Sequence, residues 1–134
     1  MQSVKFINCD INKDNRGSLI SVEAYQQTGC LFKRFFLIQD IKGGVRGGHA
    51  HKYTDQILKV IKGSLTINFQ YFSQKESIKV DINSKPIFFP KLTWIEMNNI
   101  KEDSIILVLS SDEYNIQNSL RDKKNFLEFI SKIK

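Results

Sequence analysis

Between residues 64 and 72 the chain alternates strictly, with Leu65, Ile67, Phe69 and Tyr71 apolar and Thr66, Asn68 and Gln70 polar between them. A period of two fits a strand with one covered face and does not fit a helix, whose apolar positions recur every three or four residues. Ile78, Val80 and Ile82 repeat the pattern against Ser77, Lys79 and Asp81. Short apolar runs recur at a spacing of roughly eight to twelve residues, the signature of an all-β sandwich or barrel. Residues 4–7 and 18–24 read as the first strands, separated by a polar turn that ends at Arg16-Gly17, and residues 33–39 as a third. Residues 56–61 and 64–72 form a hairpin across Lys62-Gly63. Pro86 and Pro90 bracket a short segment expected at a sheet edge, because proline cannot donate to a central ladder. Residues 104–111 are apolar on both faces, as a fully covered strand should be. The period changes only from about residue 119, where Leu120, Phe126, Leu127, Ile130 and Ile133 predict one amphipathic helix on the outside of the β body.

At 134 residues the chain is expected to be one domain, residues 1–134, large enough for a core without staples. The N-terminus shows no apolar run of a signal peptide, which predicts a cytoplasmic protein. Cys9 and Cys30 have no CxxC spacing and read as reduced structural thiols. The formal charge of +6 calls for an anionic partner or for none at all. The cations are dispersed, densest at Lys123, Lys124, Lys132 and Lys134, and no nucleic-acid motif accompanies them. That distribution favours a nucleotide-sized anion over a nucleic acid or a membrane.

Both histidines of the chain fall in one heptapeptide, Arg46-Gly47-Gly48-His49-Ala50-His51-Lys52. On a strand, residues two apart share a face, so His49 and His51 would present two imidazoles side by side. Gly47 and Gly48 permit a sharp backbone turn or the close approach of a ligand. A histidine pair in a small barrel suggests a metal, but such sites usually take a third His, and none exists here. A two-His-one-carboxylate site remains open with Asp55 or Glu96; Asp55, four residues beyond His51, would share its face on a regular strand. Without metal or any other cofactor, two imidazoles suit proton transfer beside a carbonyl. One removes a proton from the adjacent carbon, and the other handles the proton on the developing enediol oxygen. Arg46 and Lys52 would favour an anionic substrate and stabilise the developing charge.

This heptapeptide, followed by Gln56 and the Lys62-Gly63-Ser64 turn, resembles the Arg-Gly-x-His-Ala-His-Lys motif of the nucleotide-sugar 3,4-ketoisomerases, small WxcM-like cupins acting on dTDP-4-keto-6-deoxyglucose. The resemblance spans most of the chain. Asn15-Arg16-Gly17-Ser18-Leu19, Lys33-Arg34, Trp94-Ile95-Glu96-Met97, Ser111-Asp112-Glu113-Tyr114 and Leu120-Arg121-Asp122 are all similar to family segments. It implies a cupin double-stranded β-helix with a C-terminal helix, a homodimer and no metal. It further implies that the ketone moves from C4 to C3 of the hexose through an enediol. His51 would be the base for the carbon proton and His49 the shuttle between oxygens. The product would be an intermediate of a 3-amino-3,6-dideoxy sugar for surface glycans. A related cupin epimerase, or a catalytically weak nucleotide-sugar-binding cupin, are the alternatives.

Arg16 resembles the turn residue of the galacto-type enzymes. Arg34 is the candidate for the diphosphate. Trp94 either stacks on the ligand or belongs to the core, and Glu96, a substrate-binding candidate as well, is expected on the face opposite Trp94. Tyr114 and Arg121 match family positions, but capping and packing of the terminal helix explain them as well. The chain departs from the family pattern at Phe35 and Phe36, where a tyrosine is common, at Ile95, often histidine, and at Asp55, usually glutamate. The acid partner would then have to come from Tyr53, Tyr71 or elsewhere, or the rate must fall, with Tyr53 a binding candidate as well. Phe35, Phe36, Phe69 and Phe126 read as core.

Overall fold

The computed structural model describes residues 2–133, leaving Met1 and Lys134 outside. In chain order the elements are β1 (Lys5–Phe6), β2 (Asp10–Asp14), β3 (Gly17–Ser21), α1 (Ala24–Thr28), β4 (Arg34–Ile38), β5 (Gly44–His51), β6 (Gln56–Lys62) and β7 (Ser64–Tyr71). They continue with β8 (Gln74–Asp81), β9 (Ile87–Phe89), β10 (Trp94–Ile100), β11 (Ile105–Ser110), β12 (Ser119–Leu120) and α2 (Lys123–Ser131), a single 3₁₀ turn at Ile116–Asn118 preceding β12. One five-stranded sheet runs β1-β9-β6-β11-β4, a second runs β12-β5-β10-β7-β8, and β2-β3 stand apart as a two-stranded ribbon. Every pairing is antiparallel. This is the all-β cupin architecture with a C-terminal helix.

The main core lies between the two sheets, where the alternating strands meet. Leu58 and Val60 of β6, Ile106 and Val108 of β11, and Ile87 and Phe89 of β9 face Leu65, Ile67 and Phe69 of β7 and Ile95 and Met97 of β10. Phe69 and Phe89 join the two layers edge to face, their centroids 5.8 Å apart. A second cluster covers the outside of the β5/β10 sheet: Phe126 and Ile130 of α2 sit on Ala50, Leu92 and Trp94. Asp122 caps that helix, its carboxylate accepting the backbone N–H groups of Lys124 and Asn125.

Several expectations from the sequence require correction. The supposed turn before Arg16-Gly17 is largely strand, because residues 10–14 pair with residues 17–21. The segment between the prolines is not an edge: β9 lies between β1 and β6 and is wholly buried, with Pro86 and Pro90 just beyond its ends. The Pro86 carbonyl still accepts the Ile7 N–H. The helix begins at Lys123, and Ser119 and Leu120 instead pair with His51 and Ala50. β11 is covered on its inner face alone, since Ile105, Leu107 and Leu109 are only half-buried. Phe35 is not core; it is 66% exposed, because the alternation of β4 turns Arg34, Phe36 and Ile38 inward and Phe35 and Leu37 outward.

Candidate active site

β5 presents both imidazoles to the space between the sheets, with ring centroids 5.0 Å apart and planes at 82°. Alternation explains the arrangement. Ala50, between them, points the other way and is fully buried under α2 beside Trp94 and Phe126. Its small side chain lets the helix lie close to the strand that carries the pair. Gly47 sets the approach from the other side. Its φ is +89°, the register against β10 shifts at this point, and a Cβ there would lie 2.8 Å from the Ile95 carbonyl oxygen. The close approach that Gly47 permits is therefore strand against strand.

The exit of β5 is fixed by hydrogen bonds. The Leu92 N–H donates to the His51 carbonyl at 2.8 Å, and the Lys52 N–H donates to the Asn118 carbonyl at 2.8 Å. The Tyr53 N–H donates to the Asn118 side-chain oxygen at 2.8 Å, while the amide of Asn118 donates to Thr54. Asn118 is buried, so this clamp is shielded from water and holds His51 at the end of the strand.

His49 lines a cavity of about 350 Å³ between the sheets, together with Phe36, Arg46, Gln56, Ile95 and Met97. The opposite wall carries one polar row across three paired strands: Arg34 of β4 opposes Ser110 of β11, which opposes Gln56 of β6. From this row Gln56 Nε2 lies 3.4 Å from His51 Nε2 and donates to Ser110 Oγ at 3.2 Å. Both imidazoles are held below their ordinary basicity. Burial is the main cause for His51, followed by His49, Arg121 and Arg34, and together they lower it to about 4. Burial and then Arg121 lower His49 as well, against a backbone hydrogen bond to Gly47 that acts in the opposite direction. At neutral pH the site thus holds two uncharged imidazoles within reach of arginine cations: bases, with positive charge at hand for an anion.

Residues 2–131 match the family model described as FdtA: WxcM-like, C-terminal. The chain belongs to this family. A TDP-4-oxo-6-deoxy-alpha-D-glucose-3,4-oxoisomerase of Aneurinibacillus thermoaerophilus is 32% identical over 130 residues, covering 96% of this chain and 94% of that protein. A crystal structure of a 3,4-ketoisomerase from Helicobacter canadensis superposes with a TM-score of 0.89 at 35% identity, covering 98% of this chain and 99% of the other. The sugar 3,4-ketoisomerase QdtA of Thermoanaerobacterium thermosaccharolyticum, solved in complex with TDP, gives a TM-score of 0.88 at 25% identity, covering 97% and 96%.

In this FdtA-family chain the cavity gathers His49, Arg46 and Phe36, and brings Arg34 close enough to act on His51. Arg34 is held by two rings, its guanidinium 4.8 Å from the Phe36 centroid and 5.3 Å from that of Tyr114. Other predicted residues face elsewhere. Lys52, next after His51, reaches the outer side and sits 5.7 Å from the Phe129 ring of α2. Trp94 is core, 5% exposed, stacked beneath α2 with its centroid 5.5 Å from that of Phe126. Glu96 is not on the opposite face from Trp94. Residues two apart share a face, and the Trp94 indole N–H donates to the Glu96 carboxylate at 2.7 Å. Arg16 projects from the tip of the β2-β3 ribbon, paired with Asp14.

Tyr53 is 65% exposed in a polar recess with Lys33, Asp112 and Tyr114. Tyr71 packs on the main core and meets Phe72 edge to face. Asp55 is committed away from the histidines: its carboxylate accepts the Lys91 N–H at 2.8 Å and the Cys30 thiol at 3.3 Å. With Glu96 engaged by Trp94, neither carboxylate of the two-His-one-carboxylate alternative converges on the pair. Among the described residues no group of three or more His, Cys, Asp and Glu side chains does so anywhere.

Gln56, Ser110 and Arg121 were absent from the predicted site. Arg121 follows Leu120, whose pairing with Ala50 brings it alongside the histidines. Its signal is the Leu120-Arg121-Asp122 match, for which capping and packing of the terminal helix are an equal explanation; Asp122 performs the capping, and Arg121 acts electrostatically on the imidazoles. Ser110 had no signal in the sequence, being the last residue of an apolar strand.

Proposed function

We propose that this protein is a sugar-nucleotide 3,4-ketoisomerase, moving the ketone of dTDP-4-keto-6-deoxyglucose from C4 to C3. Support comes from the family, from relatives that carry this activity in their names across nearly the whole chain, and from the site. The observation that carries the reading is a pair of neutral imidazoles on one face of β5, 5.0 Å apart, with arginine charge beside them.

His51 takes the proton from C3 of the 4-keto sugar, and negative charge develops on the C4 oxygen. His49 supplies a proton to that oxygen and accepts the proton of the C3 hydroxyl. The C3 oxygen becomes the ketone as the imidazolium of His51 returns its proton to C4. Atoms and charge balance within one turnover, and no resident cofactor or metal enters. Arg34, Arg46 and Arg121 stabilise the enediolate and the diphosphate electrostatically. The 3-keto product suits a following aminotransferase and hence a 3-amino-3,6-dideoxy sugar of surface glycans.

The working form we propose is a homodimer of single cupin domains in the cytoplasm. Phe35, Leu37 and Ile61 are exposed on the outer face of the β4/β11/β6 sheet, beside half-buried Leu107 and Leu109, and Ile11, Leu19 and Ile20 are exposed on the β2-β3 ribbon. A second copy covering both would remove this apolar surface from water. A substrate role for Arg16, at the ribbon tip, rests on that assembly. The compartment fits two unpaired thiols, Cys9 and Cys30, and no helix of the described residues is long and apolar enough to cross a membrane. The function is tested by incubation with dTDP-4-keto-6-deoxyglucose. The 3-keto isomer should form, and it should not form with His51→Asn that still binds dTDP. Formation of the isomer at an undiminished rate by that variant contradicts the reading.

A further inference from the structure

The inner face of the β4/β11/β6/β9 sheet changes character in one step. The row Phe36–Val108–Leu58–Ile87 is apolar, and the next row is Arg34–Ser110–Gln56–Phe89. Gln56 is 9% exposed and Ser110 1%. An amide and a hydroxyl at this depth need partners, and these two have each other and, across the barrel, His51. Asp55 precedes Gln56, yet its carboxylate faces the other way, toward Lys91 and Cys30. The group opposite His51 is therefore neutral.

We propose, resting on the ketoisomerase reading, that Gln56 is a positioning residue for His51. Its amide meets Nε2 in both protonation states, and Ser110 follows it. A half-turn of the amide from the orientation in which its N–H group donates to Ser110 Oγ puts its oxygen on the Nε2–H, and the Ser110 hydroxyl then donates to the same oxygen. That hydrogen bond keeps the proton of the neutral ring on Nε2, leaves the Nδ1 lone pair to take the C3 proton, and persists in the imidazolium. The chemistry explains the choice of an amide. His51 must take a proton from C3 and release it to C4 within one turnover, and a carboxylate opposite it would hold the proton on the ring. The charged and titratable groups acting on His51 are His49 from its own strand, Arg121 after β12 and Arg34 from β4; β6 and β11 contribute only the neutral Gln56 and Ser110.

The test measures kcat and KM against pH for Gln56→Glu, Gln56→Met and Ser110→Ala, with imidazole NMR titration of the substrate-free proteins. Gln56→Glu, nearly isosteric, should raise the His51 pKa and the acidic limb of kcat/KM by at least about one pH unit. Gln56→Met should lower kcat by about tenfold or more with KM within about twofold, and Ser110→Ala should fall between it and the parent. An unmoved His51 titration and acidic limb in Gln56→Glu overturns the proposal. So does a folded Gln56→Met protein with the parent's kcat and pH profile. Failure of the function itself is seen separately, as absence of turnover by the unmodified protein, and in that case the NMR titration still decides the positioning role.

Discussion

Replacing His51 with asparagine should make the protein relatively more resistant to acid. The native site holds His51 near 4, against an ordinary value of 6.5. The folded-state value is lowered, so below pH 6.5 the unfolded chain binds a proton that the native chain resists. Stability therefore falls as pH drops from about 6.5 to about 4 and levels off below. The full difference corresponds to about 3 kcal/mol, and at about pH 4.5 to about 2–3 kcal/mol. Carboxylate contributions are common to both proteins and cancel in the comparison. The assay is urea unfolding followed by the fluorescence of Trp94, the sole tryptophan, buried against Phe126. Unfolding free energies at about pH 7.5 and about pH 4.5, at one protomer concentration, should show the parent losing about 2 kcal/mol more than His51→Asn on acidification. Equal losses by the two proteins would refute the claim that the pair is held neutral by burial.

Gly47→Ala should cost about 2–4 kcal/mol in thermal or urea unfolding, combining a left-handed φ with contact against the Ile95 carbonyl, and should lower turnover by displacing His49. Gly48→Ala, at φ +76° but with nothing within 4 Å of its Cβ, should cost only about 1–2 kcal/mol and spare more activity. Equal effects of the two would show that strand contact at Gly47 is not the constraint. Phe35→Asp should leave the fold intact while sedimentation shows monomers where the parent shows dimers. A parent that sediments as a monomer, or a variant that remains dimeric, would remove this face from the interface.

The elements that bury one face were legible because burial writes a period of two into the sequence: β7, β8 and the His49/His51 face all follow from it. The β2 strand was not, since Asp10–Asp14 covers no core and a solvated ribbon carries no apolar period. α1 is short, with no buried residue, and left no signal for the same reason. Pro86 and Pro90 suggest an edge at β9, but a proline just outside a strand leaves the ladder intact. At the site, adjacency in sequence misled where alternation would have served better. Lys52 and Trp94 neighbour inward-facing residues and for that reason face out, and Glu96 lies on the same outer face as Trp94. Gln56, Ser110 and Arg34 form one row only through the order of the strands, which pairs residues distant in sequence and leaves no local pattern.

The central claim is that two neutral imidazoles carry hydrogen between adjacent carbons of a keto sugar. It is tested most directly by ¹H NMR of dTDP-4-keto-6-deoxyglucose incubated with the protein in D₂O. The account predicts a 3-keto product with its C5 hydrogen retained, solvent exchange confined to C3 and C4, and neither product nor exchange with His51→Asn. Exchange at C5, or a sugar left unchanged by a folded protein that binds dTDP, would contradict it.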